Sequence, residues 1–245
     1  MENSKDIQEA VKARYRQAAA GGGCCNSSSE IVEFQQIRGY SSDQVQSIPK
    51  GADLGLGCGN PTALAPIEPG MTVLDLGSGA GIDVFLAARK VGPNGRVIGV
   101  DMTEEMIDKA RKNAAREGIS NVEFRLGQIE ALPVEDGSVD LILSNCVINL
   151  SPDKDQVFRE IYRVLRPGGR FQISDIVTRG PASDAMRRDA ELWAGCISGA
   201  LEKEVYLDKL RQAGFSEIEV VKEVEYDAHK TDAFALVSIS LVATR

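Results

Sequence analysis

VLDLGSGAGID, residues 73–83, decides the fold. VLDL reads as a short buried strand carrying one acid, and DVFLAARKVG as a helix that ends near Gly92. Between them Gly77, Gly79 and Gly81 occupy the strand-to-helix turn, where glycine permits a tight bend and lets a ligand approach backbone amides closely. Outward from this unit the pattern repeats. RVIGVD (96–101) is a second strand. Thr103 can cap a following helix whose first turn carries Glu104 and Glu105, where negative charge suits the helix dipole. Met106, Ile107, Ala110 and Ala114 mark its apolar face, and Gly118 suits the position just past its end. NVEFRLG (121–127) and VDLILSN (139–145) are a third and a fourth strand. Ser151 and Pro152 look like the cap and first position of a helix over 152–165, and RPGGRFQISD is a turn leading into a fifth strand. YLDKLRQAG reads as a helix, and IEVV and FALVSISLVATR as closing strands. Strands alternating with helices imply an α/β fold with a parallel, doubly wound sheet, whose ligands bind outside the carboxyl ends of the strands.

A chain of 245 residues can build one sizeable core. Its net charge of −8 argues against nucleic acid or another polyanion as a partner. No apolar run approaches the roughly 20 residues that cross a bilayer, and MENSKDIQEA is too polar for a secretory signal. A cytoplasmic protein without membrane contact is expected. Five irregularly spaced cysteines in such a compartment do not suggest a disulfide framework. Three segments are expected. Residues 1–50 form a helical and flexible extension containing the link GGGCCNSSS, residues 51–180 a cofactor-binding core, and residues 181–245 a C-terminal segment with the closing strands.

Asp101 ends the second strand 20 residues beyond Gly81, the separation at which a carboxylate reaches ribose hydroxyls. A dinucleotide enzyme would share that feature, but it would carry G-x-G-x-x-G aimed at a pyrophosphate. Here the glycines run G-x-G-x-G, and Asp75 stands two residues before the first. A carboxylate so placed opposes pyrophosphate and suits a ligand carrying an ammonium and a sulfonium. S-adenosylmethionine is such a ligand.

Cys58 in LGCGNP, Cys146 in SNCVINL and Cys196 in WAGCISGAL stand apart from the adjacent pair Cys24 and Cys25. A lone cysteine is commonly a small buried hydrophobe, and a metal ligand, a nucleophile or a grip on something thiophilic are the other readings. Cys146 follows the fourth strand, so it sits at the ligand edge, and Cys58 lies in a glycine loop. Zinc lacks support: no C-x-x-C pair is present, and the sole histidine, His229, falls in the polar run YDAHKTD, read as solvent-exposed. That scarcity also disfavours acceptors that need a general base. Trivalent arsenic needs none, because it is soft, thiophilic and carries a free lone pair.

The runs LGCGNP, VLDLGSGAGIDVFLAA, GVDMTEEM, SNCVINLSPDK, VLRPGGRFQISDIV and WAGCISGAL together resemble the arsenite S-adenosylmethionine methyltransferases over most of residues 54–215. The glycine turn, Asp101 and residues 166–169 are generic to class I methyltransferases, whereas the three cysteine motifs carry the substrate. The resemblance implies a Rossmann-like, doubly wound, seven-stranded methyltransferase core with an N-terminal extension and a C-terminal segment covering the substrate. It implies that Cys58, Cys146 and Cys196 bind trivalent arsenic as substrate, not as a structural metal. A further N-terminal cysteine, Cys24 or Cys25, would serve redox turnover. Of the family's N-terminal aromatic pair only Tyr15 is present. Asp75, Gly77, Ser78 and Gly79 are expected to hold the methionine part of the donor, and Asp101 with Met102 the ribose and adenine. Gln128 and Ile129 would flank the adenine, and Asn145 would line the methyl-donor pocket. Arsenic oxidised during transfer would be restored by a thiol reductant, thioredoxin or glutathione. Two other functions remain open: methylation of a small organic acceptor with the cysteines merely packed, and non-enzymatic As(III) binding.

Overall fold

A computed structural model describes residues 4–21, 38–189, 192–193, 195–227 and 230–245. Cys24, Cys25 and His229 therefore lie outside the described residues. The elements follow in chain order as α1 (Ser4–Ala19), α2 (Ser42–Gln46), α3 (Pro61–Leu64), β1 (Thr72–Leu76), α4 (Ile82–Val91), β2 (Arg96–Asp101), α5 (Glu104–Arg116), β3 (Val122–Leu126) and β4 (Val139–Asn145). A 3-10 turn (Ile148–Leu150) then leads to α6 (Lys154–Val164), β5 (Leu165–Arg179), α7 (Asp184–Arg188), α8 (Lys203–Gln212), β6 (Ser216–Glu225) and β7 (Ala235–Thr244).

These strands make one seven-stranded sheet in the order β3-β2-β1-β4-β5-β7-β6. The first five run parallel, whereas β7 pairs antiparallel with both β5 and β6, so the sheet is mixed and not wholly parallel. Strand order reverses between β1 and β4. That reversal opens a crevice at their carboxyl ends, which is where a doubly wound sheet accepts its ligand.

Alternation along the buried strands sends side chains to opposite faces. Leu74, Leu76 and Ile142 join Phe158, Ile161, Tyr206 and Leu210 from α6 and α8 on one face. Val73, Leu141 and Leu143 join Phe85, Ala88, Ile107 and Ala110 from α4 and α5 on the other. A third apolar cluster caps the carboxyl edge. It contains Val11 of α1 with Cys146, Leu150, Ile176 and Cys196, and Tyr15, Cys58 and Trp193 pack against it. The N-terminal helix is thus laid over the ligand edge of the sheet. Among the described residues no helix is long and apolar enough to cross a membrane.

Two local expectations are revised. The helix expected from 152 begins at Lys154, because Asp153 and not Ser151 caps it: its carboxylate accepts from Gln156 N at 3.0 Å. Ser151 Oγ instead accepts from Asp153 N at 3.1 Å and donates to Glu130 at 2.5 Å. Thr103 precedes α5 as expected, yet its hydroxyl caps nothing, and Asp101 Oδ1 accepts from Thr103 N at 2.8 Å instead.

Candidate active site

A cleft open to solvent, enclosing about 980 Å³ of space, lies at the β1–β4 crevice. Asp75, Gly77, Ser78 and Gly79 line it from β1 and the turn, and Asp101 and Met102 from the end of β2. Ile129, Asn145 and Cys146 complete the expected set. Gln128 does not line it. Gly127, Ile129 and Glu130 around it do, at a turn where Gln128 bridges Ala131.

Five carboxylates line this cleft, and three of them, Asp75, Asp83 and Asp101, are buried. Asp101 is held at both oxygens, Oδ2 by Gly79 N at 3.0 Å and Oδ1 by Thr103 N. Burial nevertheless raises its pKa against those bonds. Asp75 lies well above the usual carboxylate range, first through burial and then through the nearby Asp83 and Asp101 charges. Asp83, which the sequence reading did not single out, is pushed up to about 6 by burial, against hydrogen bonds from Tyr40 and Asn145 that favour its charge. A buried acidic trio is hostile to phosphate and suited to a cation.

The residues also fit a nucleoside. Gly77 has φ +64°, and a Cβ there would meet Val147 Cγ2 at 2.4 Å, so only glycine keeps the turn open. The buried Ser78 hydroxyl has no hydrogen-bond partner among the described residues, and each Asp101 oxygen keeps a lone pair. This donor set suits the charged methionine portion and ribose of S-adenosylmethionine.

Next to this cleft the cysteines gather. Cys58 and Cys146, 88 residues apart, form a disulfide with Cα atoms 5.9 Å apart, one bond in a chain whose cysteine spacing suggested no disulfide framework. The glycine loop carries Cys58 across the sheet edge onto the end of β4, a proximity that sequence spacing does not reveal. Cys196 is free and buried, and its thiol donates to the Cys146 carbonyl at 2.9 Å. Cys146 and Cys196 both adopt left-handed backbone, with φ of 58° and 66°. Each such residue costs about 1–3 kcal/mol, a strain that collects at functional sites and persists only where the surroundings enforce it. Cys146 is held by its N–H to Ser174 O at 2.8 Å. Asn149 Nδ2 donates to the carbonyls of Ile176 at 2.6 Å and Cys196 at 3.3 Å.

Charged groups surround the sulfurs. A carboxylate oxygen of Asp175 lies within 4.8 Å of the Cys58 and Cys146 sulfurs. Complete burial pushes Asp175 up to about 7, and its Oδ2 accepts from Tyr206 Oη at 3.3 Å. Lys154, pushed down to about 8 by burial, donates to Ser151 O at 2.8 Å and lies 5.7 Å from the centre of the Trp193 ring. Burial, and then the Asp175 charge, raises the Cys196 thiol pKa, against the lowering influence of Arg14 and Lys154. Asp175 and Lys154 lie inside runs quoted for the resemblance, ISD and SPDK, but nothing in the spacing marks them as site residues.

Comparison with known proteins agrees with this geometry. A family model described as a methyltransferase domain matches residues 67–214. The chain is 51% identical over 214 residues to an arsenite methyltransferase of Halobacterium salinarum, covering 84% of this chain and 55% of that protein. A human arsenite methyltransferase is 33% identical, over 80% of this chain and 54% of its own length. The chain spans about half the length of these curated relatives. Among solved structures, an arsenic (III) S-adenosylmethionine methyltransferase from Chlamydomonas reinhardtii matches with a TM-score of 0.71 and 33% identity, covering 86% of this chain and 73% of that one.

Proposed function

The chain belongs to the S-adenosylmethionine-dependent methyltransferases, and among them to the arsenite methyltransferase family, and on that premise we propose that it moves methyl groups from S-adenosylmethionine to trivalent arsenic held by Cys58, Cys146 and Cys196. One observation carries the proposal. Cys146 lines the donor cleft while the Cys58 sulfur is bonded to it and the Cys196 thiol rests on its carbonyl. Cys146 thus stands at the wall of a site suited to a cationic methyl donor, with the soft sulfurs of Cys58 and Cys196 against it but outside the cleft lining.

Bound S-adenosylmethionine supplies an electrophilic methyl on a sulfonium. Asp75, Gly77, Ser78 and Gly79 hold its methionine portion in this reading, Asp101 and Met102 its ribose and adenine, with Ile129 and Asn145 alongside. Gln128 takes no part. Once reduced, the three thiolates hold arsenic as a pyramid whose lone pair points away from them. That lone pair forms the new bond to carbon as the sulfonium–carbon bond breaks. No base is required, and the chain contributes chiefly by orienting two bound reactants, an effect that can reach about 7–11 kcal/mol.

Arsenic gives up two electrons in this step, so a dithiol must return them and become a disulfide. The Cys58–Cys146 bond must likewise be opened before both sulfurs can bind arsenic. We assign both tasks to a small thiol or dithiol-protein reductant of the glutathione or thioredoxin class, in a reducing, cytoplasmic compartment. Cys24 or Cys25 is the proposed relay. The test is to incubate the purified protein with arsenite, reductant and methyl-labelled S-adenosylmethionine, and then to speciate the arsenic. Labelled methylarsenicals are expected. Arsenite bound without product would make the chain a binding protein, and turnover of an organic acceptor without arsenic would make the cysteines packing residues.

A further inference from the structure

Behind the donor cleft lies a polar chain that the transfer step does not use. Tyr40 is buried and donates its hydroxyl to both oxygens of Asp83, at 2.8 and 2.9 Å. Arg38, which makes a two-pronged ion pair with Asp53 and donates to Leu56 O at 2.8 Å, lies 5.2 Å from the centre of the Tyr40 ring. Asp83 and Asn145 reach the cleft, whereas Tyr40 stands behind them.

Asn145 is the hub. Its Oδ1 accepts from Cys58 N at 3.0 Å and from Gly59 N at 3.2 Å, which uses both lone pairs on the loop that carries the first thiol. Its two Nδ2 hydrogens face three acceptors: Gly59 O at 2.8 Å, Tyr40 Oη at 3.1 Å and Asp83 Oδ2 at 3.2 Å. The loop is pressed so close that a Cβ at Gly57 (φ +93°) would sit 2.9 Å from the Asn145 carboxamide. Two hydrogens cannot fully serve three acceptors. When a cation in the cleft draws the Asp83 carboxylate, the hydrogen shared with Asp83 is freed for Tyr40 and the Gly59 carbonyl, and the loop is held more firmly.

We propose that Tyr40, Asp83 and Asn145 form a positioning relay through which occupancy of the donor cleft tightens the hold on the Cys58 loop, so that methyl donor and arsenite bind cooperatively. The proposal rests on the arsenic reading above. Tyr40 is its positioning residue, because it touches neither reactant and acts through the other two.

Coupling between two sites is reciprocal, and typical values are about 5- to 150-fold in affinity. The experiment titrates sodium arsenite into the reduced 245-residue chain, with and without saturating sinefungin, an unreactive analogue that carries an amine where the donor has its sulfonium. The fluorescence of Trp193, the sole tryptophan and a neighbour of Cys196, reports arsenite binding. In the parent protein sinefungin is expected to tighten arsenite binding at least about fivefold, and arsenite to tighten sinefungin by the same factor. In Tyr40→Phe arsenite alone should bind much as before and sinefungin alone somewhat more weakly, because Asp83 loses a hydrogen bond that favours its charge, while the coupling collapses towards one. Arsenite binding that is indifferent to sinefungin in the parent overturns the relay whatever the variant does. Coupling retained in Tyr40→Phe overturns the assignment of Tyr40. Failure of the parent to bind arsenite at all would sink the arsenic reading itself, and the relay with it.

Discussion

Asp101→Asn separates donor binding from folding. In the parent, Asp101 accepts two backbone bonds, from Gly79 N at 3.0 Å and Thr103 N at 2.8 Å, while buried with two other carboxylates. The amide can keep its oxygen on Thr103 N, but its NH₂ then faces the Gly79 N–H, donor against donor. Leaving that buried amide unsatisfied costs about 1–3 kcal/mol. Removing one negative charge from a crowded acidic trio works the other way, because Asp75 is raised partly by Asp101. The two effects offset, so thermal stability of the ligand-free protein should move by only a few degrees. Donor binding has no such compensation. A charge-assisted bond to a ribose hydroxyl is lost, about 1.5–3 kcal/mol, which corresponds to about 10- to 150-fold in affinity. Calorimetric titration with sinefungin, paired with thermal melts, reads both quantities. Unchanged affinity in a folded variant would refute the ribose assignment.

Other substitutions follow from the same geometry. Cys146→Ser and Cys196→Ser should abolish arsenite methylation while sinefungin affinity persists. Cys58→Ser should suppress the first methylation most and spare a monomethylated substrate that needs only two thiols, as arsenic speciation would show. Gly77→Ala places a Cβ 2.4 Å from Val147 Cγ2 at φ +64°. Left-handed backbone alone costs about 1–2 kcal/mol, at about 2–4 °C per kcal/mol for a chain of this size, and the closed turn should weaken sinefungin binding as well. For pH, Asp83 at about 6 and Asp175 at about 7 stand above their unfolded value of 3.8. The folded state therefore binds more protons than the unfolded state between about pH 4 and 7, so ligand-free stability should fall as pH rises through that window. A cation in the cleft favours the charged Asp83. Sinefungin binding should therefore release protons near pH 6 and tighten as pH rises towards 7. Calorimetry in buffers of different ionisation enthalpy detects that release.

The fold was legible wherever period and punctuation agree. The apolar face of α5, with Met106, Ile107, Ala110 and Ala114, is buried as its spacing implies. The glycine turn and the acid ending β2 line one cleft. Apolar runs do not encode direction, so the antiparallel entry of β7 between β5 and β6 could not be read from FALVSISLVATR. A hydroxyl before a helix announces a cap but not which of two neighbours supplies it, hence Ser151 in place of Asp153. Residues lining the cleft were legible where chemistry clusters in short motifs and illegible where it depends on long-range contact. Tyr40 meets Asp83 across 43 positions and Cys58 meets Cys146 across 88. Asp175 looks like any acid at a strand end until burial and the two nearby sulfurs distinguish it.

The central claim is that three sulfurs cradle one arsenic atom at the donor cleft. X-ray absorption at the arsenic edge, on the reduced 245-residue chain loaded with one equivalent of arsenite, tests it most directly. The account predicts a first shell of three sulfurs and no oxygen in the parent, falling to two sulfurs and one oxygen in Cys196→Ser. An oxygen-dominated shell in the parent, or a three-sulfur shell that persists in Cys196→Ser, would contradict it.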